Sequence, residues 1–132
     1  MDMKYIIMLT TVLGLAFADF ITGVIKAYVQ NDLSSAKMRQ GGMNKICEII
    51  VMAVACGLEI GVEMLGAYYQ AAETTAILGA VTAVVVFTYI SLMELISILE
   101  NYGEISPDAV WVRKVISRLR QFRIEENHEH DK

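Results

Sequence analysis

Apolar residues dominate three long stretches of the chain, Tyr5 to Val29, Ile46 to Tyr69 and Thr74 to Leu99, and polar segments separate them. Each stretch is about 25 residues long, which as α-helix reaches roughly 36–39 Å against a hydrocarbon core of about 30 Å. None alternates strictly between apolar and polar positions as a barrel strand does, and three segments are too few to close a barrel. The pattern predicts an all-α integral membrane protein with three transmembrane helices, at about 5–29, 46–69 and 74–99. Beyond the third, Ser106 and Pro107 make an N-cap and first-turn pair. Trp111, Val115, Leu119 and Phe122 then recur on one stripe, with Arg113, Lys114, Ser117, Arg120 and Gln121 mostly off it. A C-terminal basic amphipathic helix is therefore expected over about 107–124. It suits the anionic lipid of a cytoplasmic membrane surface or the flank of a neighbouring subunit, and Trp111, Arg113, Lys114, Arg118 and Arg120 are its membrane-surface candidates. Residues 1–124 read as one membrane domain. The last stretch, 125–132, loses the apolar period and reads as a disordered polar tail.

Composition agrees. Hydrophobic residues make up 55% of the chain and charged residues 20%, against about 45–50% and about 25% in soluble domains. Between Ile46 and Leu99 the only charged residues are glutamates. The basic residues cluster outside the spans: Lys37, Arg39 and Lys45 before the second, and Arg113, Lys114, Arg118, Arg120 and Arg123 after the third. The short segment between the second and third spans has none. The positive-inside rule places the first loop and the C-terminal segment in the cytoplasm, and hence the N-terminus outside. Lys4, the apolar run Tyr5 to Leu15 and Ala16-Phe17-Ala18 also fit a cleavable secretory signal. Cleavage there would remove half of the first span and break the agreement between span count and charge, so the segment is expected to remain as a membrane helix.

Several charges fall inside the spans: Asp19, Lys26, Glu48, Glu59, Glu63 and Glu94. An ionised group at the bilayer centre costs roughly 2.5–3.5 kcal/mol on insertion scales, so none should face lipid. Glu48 and Glu94 lie near span ends, where they can snorkel to the interface. At about 100° per residue, Glu48, Glu59 and Glu63 fall on one side of the second helix, with Met52, Ala55 and Gly66. The opposite side carries Ala53, Gly57 and Gly61, a GxxxG pattern that lets helices approach closely. Gly23 on the first helix, and Gly79 and Ala83 on the third, are further packing candidates. Asp19, Thr22, Gly23 and Lys26 share a face of the first helix. One reading makes the carboxyl groups neutral and hydrogen-bonded between helices. The other makes Glu48, Glu59 and Glu63, with Asp19 and Lys26, the lining of a water-filled lesion built by several subunits.

Nothing in the chain points to an enzyme: it has no HExxH, no Gly-rich phosphate loop and no Ser/His/Asp set. His128 and His130, two positions apart in the polar tail, do not make a metal site, and no cofactor is expected. The basic residues flank membrane spans, which excludes nucleic acid as the partner to expect. Cys47 and Cys56 lie on opposite sides of one helix and cannot pair within it.

Two segments carry a resemblance. "ADFITGVIKAYVQNDLSSAKMRQGGMNKI" has a D-x-x-T-G-x-x-K-A pattern and a short polar stretch before the second apolar run. "ELISILENYGEISPDAVWVRKVISRL" has an S-I-x-E-N-x-G close followed by proline and a basic helix. Together they resemble the toxin secretion/phage lysis holin family over roughly Ala18 to Leu119, with Asp19, Thr22, Gly23, Lys26, Glu100, Asn101 and Gly103 as matching residues. The resemblance implies a phage-encoded or prophage-encoded homo-oligomer of the bacterial inner membrane. It permeabilises that membrane so that a cell-wall hydrolase (endolysin) escapes without direct contact, or so that a toxin is exported. The three glutamates of the second span match no family motif. Two other classes remain open: a small proton- or cation-coupled transporter or channel subunit using its intramembrane carboxylates, and a non-conducting assembly factor.

Overall fold

The computed structural model describes residues 2–129, with side chains through residue 121. Four helices follow one another: α1 (Met3–Val29), α2 (Ser35–Tyr68), α3 (Ala72–Ile105) and α4 (Val110–Glu129). No strand occurs among the described residues. The first three are each long and apolar enough to cross a membrane, so the chain is a multi-pass membrane protein.

The polar connection between the first two spans is mostly helix. α2 begins at Ser35, well before the apolar run that starts at Ile46, and α3 likewise runs on past Leu99 to Ile105. The true turns are short, and each is made by one residue in the left-handed region: Asn31 at φ 54° and Gln70 at φ 57°. After α1, Asp32 N–H donates to the Ala27 carbonyl at 2.9 Å and Asn31 N–H to Tyr28 at 3.1 Å. This is the Schellman pattern, which ends a helix by satisfying its last carbonyls. Ala71 N–H donates to the Gly66 carbonyl at 2.8 Å in the same way after α2. Short turns of this kind force α1, α2 and α3 to run antiparallel in sequence.

α3 is the central helix and packs on α1, α2 and α4. The shared core contains Tyr5 and Val12 of α1, Met52, Ala55 and Cys56 of α2, and Ile90 of α3. Most of each span nevertheless faces outward: Phe17, Val54, Met64, Ile77 and Val85 are all exposed. Such a surface is an aggregation liability in water and an ordinary lipid-facing wall in a bilayer. The hairpin of α2 and α3 closes tightly near its tip. A Cβ on Gly66 would lie 1.6 Å from Thr75 Oγ1, and one on Gly79 would lie 3.2 Å from the Glu59 backbone. Cys47 is exposed, Cys56 is buried, and both are free thiols.

The start of α4 differs from the expectation. Ser106 is the C-cap of α3 rather than the N-cap of the next helix. Its carbonyl accepts the Ala109 N–H at 3.0 Å in a turn that holds Pro107, so α4 starts at Val110. The buried stripe also differs by one position. Val112 is fully buried against α3, where Gly103 leaves room for it, whereas Trp111 and Val115 are exposed. Helical backbone continues to Glu129, into the segment expected to be a polar tail; His130 and the two residues after it lie outside the described residues.

Candidate functional site: ion clusters inside the helical bundle

Two lysines carry the charges of the spans into the bundle. The extended α2 places Lys45 inside a helix, one turn from Glu48 and on the acidic side of α2. Lys45 Nζ lies 2.8 Å from Asp19 Oδ2 of α1, 2.6 Å from Glu94 Oε1 of α3 and 3.3 Å from Glu48 Oε2. One ammonium thus joins all three spans. Asn101 of α3 completes the arrangement, donating from Nδ2 to Asp19 Oδ1 at 3.1 Å and to Thr22 Oγ1 at 3.3 Å. Both oxygens of Asp19 therefore receive a donor, which is how a buried carboxylate becomes tolerable in an apolar surround. Among the described residues Glu94 Oε2 has no hydrogen-bond partner, and Glu48 Oε2 is met only by the Lys45 ion pair.

The second cluster lies toward the other end of the bundle. Lys4 Nζ at the start of α1 donates to Glu59 Oε1 at 2.6 Å and lies 3.5 Å from Glu63 Oε1. It also sits 4.8 Å over the ring of Tyr5, a cation–π distance. Glu59 is 1% exposed, wedged between Lys4 and the α3 backbone at Gly79. Its Oε2 and the Tyr5 hydroxyl both lack a hydrogen-bond partner among the described residues.

The structure corrects one expectation outright. Glu94 does not snorkel to the interface; its side chain is 1% exposed and bound to Lys45. The reason is the early start of α2, which brings an ammonium to a carboxyl group that would otherwise have had to reach water. Of the other candidates, Asp19 is buried with Lys45, and Lys26 faces Glu104 at 3.4 Å. Glu48 and Glu63 are each about one-third exposed. Ala83 is fully buried, a Cβ on Gly79 would press on Glu59, and one on Gly23 would lie 3.6 Å from Asn101 Nδ2. A Cβ on Gly57 or Gly61 would meet nothing within 4 Å among the described residues, so both positions are open. On α4, Trp111 leans on Tyr102 with ring centroids 6.1 Å apart, Arg113 donates to the Pro107 carbonyl and Arg120 pairs with Glu100. Lys114 and Arg118 are exposed.

The two sequence motifs meet at one end of the bundle. Asp19 and Thr22 of the first motif accept hydrogen bonds from Asn101 of the second, and Gly23 faces the same amide. Lys26 and Gln30 both reach Glu104, Gln30 at 2.9 Å. Glu100 and Gly103 hold α4 through Arg120 and Val112. Lys4, Lys45 and Gly66 were not recognised as site residues from the sequence. Lys45 could have been: carrying the helical period of α2 backward from Glu48 sets it on the same side as Glu63.

Three antiparallel spans with charges paired inside and apolar side chains outside define a membrane-embedded helical protein. The sequence profile of the bacteriophage holin family matches residues 3–121, nearly the whole chain, and the protein belongs to that family. Host-cell lysis by phage follows from this membership, and the family is one of pore-forming membrane proteins rather than an enzyme class. No curated protein and no solved structure matches the chain.

Proposed function

We propose that this protein accumulates in the bacterial inner membrane, assembles with copies of itself and then permeabilises that membrane, letting an endolysin reach the cell wall. A toxin cargo would leave by the same route. The observation that carries the reading is the family match over residues 3–121 on a chain with three spans. The N-terminus lies outside and the loop at Lys37 and the C-terminus lie in the cytoplasm, an orientation supported by the placement of basic residues.

Self-assembly uses the open side of α2. Gly57 and Gly61 meet no side chain among the described residues, and a small-residue pair of this kind lets a second helix come close. The acidic side faces water only in the open assembly. In the resting chain Lys4 holds Glu59 and Glu63 against α1, so opening draws α1 away from α2 and turns these carboxylates toward a lumen. Glu48, Asp19 and Lys26 border the same path.

The test is induced expression in a bacterium, with and without a signal-less muralytic enzyme. Expression alone stops growth abruptly after a delay and collapses the membrane potential; with the enzyme, the culture lyses. Gly57→Leu blocks assembly, whereas Glu59→Leu with Glu63→Leu leaves insertion intact and delays or abolishes lysis. Sustained growth with an intact potential, despite confirmed insertion of the wild-type chain, sinks the reading.

A further inference from the structure

Helix α4 packs back on the C-terminal turns of α3: Val112 sits over Gly103, and farther along α4 Arg120 pairs with Glu100. This fixes the level of α4, because Glu100 directly follows Leu99, the last residue of the apolar segment of α3.

The side chains of α4 divide accordingly. Val112, Ile116 and Leu119 turn toward α3, and Val112 is fully buried there. Arg120 is paired with Glu100. Trp111 and Val115 are left exposed, at 55% and 37%, on a flank that also carries Lys114 and Arg118. Tyr102, itself exposed, stands beside Trp111 and extends this flank onto α3. An indole at the edge of an apolar span, a valine next to it and two lysine or arginine cations on the same flank match an interfacial helix on a negatively charged leaflet.

We infer that the Trp111/Lys114/Val115/Arg118 flank of α4 is a binding surface for the headgroups of anionic phospholipid. Trp111 and Val115 enter the acyl boundary, and Lys114 and Arg118 meet the headgroup phosphates. Arg120 is not part of the surface, because Glu100 holds it against α3. The inference rests on insertion of the spans as proposed above, but not on lesion formation, and its readout is independent of lysis.

Trp111 is the chain's sole tryptophan, so its emission reports this surface directly. The full chain is reconstituted at high lipid dilution into vesicles of phosphatidylcholine alone or with phosphatidylglycerol. The expected result is a blue-shifted emission, shielded from aqueous iodide, in phosphatidylglycerol vesicles relative to phosphatidylcholine. Raising the salt concentration weakens the difference, and inorganic phosphate added to phosphatidylcholine vesicles does not produce it. Lys114→Gln with Arg118→Gln, both exposed positions, at least halves the difference. Identical emission and quenching in the two lipids overturns the inference, as does a full difference in the double variant. A shift that grows with protein-to-lipid ratio at constant lipid composition also overturns it, since the surface would then be a contact between copies.

Discussion

Asn101 and Asp19, 82 positions apart, are joined by a buried hydrogen bond of 3.1 Å. Because Lys45 occupies the other oxygen of Asp19, the amide is what keeps that carboxyl group fully served. Asn101→Leu leaves Asp19 Oδ1 without its donor in an apolar surround, a loss of about 1–3 kcal/mol. Asn101→Asp should be worse, since it sets a second carboxyl group against the first. Denaturant or thermal unfolding of the purified chain in detergent checks the order: wild type, then Leu, then Asp.

Removing either of the paired lysines, Lys4 or Lys45, has a different signature. Lys45→Met strands three carboxyl groups that share one ammonium, and the loss of a buried partner of this kind costs about 3–5 kcal/mol. Lys4 is more exposed than Lys45, so Lys4→Met should cost less, in part because Glu59 alone stays buried. Adding Glu59→Leu to Lys4→Met should then recover stability, because the uncompensated group has gone. A double-mutant cycle in the same unfolding assay measures this, and additive losses would show that the 2.6 Å contact carries no energy.

Glycine positions should sort into two classes. At Gly66 an added methyl would collide with Thr75 Cβ as well as Oγ1, so Gly66→Ala destabilises the hairpin by about 1–3 kcal/mol through overpacking. Thr75→Gly in the same chain should restore most of it. Gly57→Ala, with open space around it, should leave the monomer unchanged and act on self-association alone, read by cross-linking in membranes.

Topology is tested by reporter fusions. Fusions after Lys37 and at the C-terminus should read cytoplasmic, and one after Gln70 should read external. A cytoplasmic signal at Gln70 contradicts three crossings.

The spans and their all-helical character were legible because an apolar run of the right length is a strong, local signal. The beginning of α2 was not. Ser35 to Lys45 is polar and includes Gly41 and Gly42, which read as a loop, yet the helix runs through them beside α1; a Cβ on Gly42 would lie 3.9 Å from the Phe20 ring. Missing those turns hid Lys45 and made Glu94 look like a snorkelling residue. Periodicity shows which residues share a face, never which face of another helix they meet, so the Asn101–Asp19 and Lys4–Glu59 pairs could not be read from one sequence. On α4 the apolar sector is broad enough to admit two stripes, and the choice between Trp111 and Val112 was made by Gly103, a residue of another helix.

The three spanning helices do not end level. Lys4 in the first turn of α1 reaches Glu63, while α2 continues to Tyr68 and α3 begins at Ala72. The hairpin therefore overhangs α1 by roughly 8 Å at 1.5 Å per residue, tipped by the edge-to-face pair Tyr68 and Tyr69. To an elastic bilayer this is a stepped body, tall on one flank and short on another, and each ångström of mismatch costs a fraction of a kcal/mol. Bilayer thickness thus becomes a variable in how this protein sits: a thicker hydrocarbon layer relieves the tall flank and a thinner one relieves the short flank.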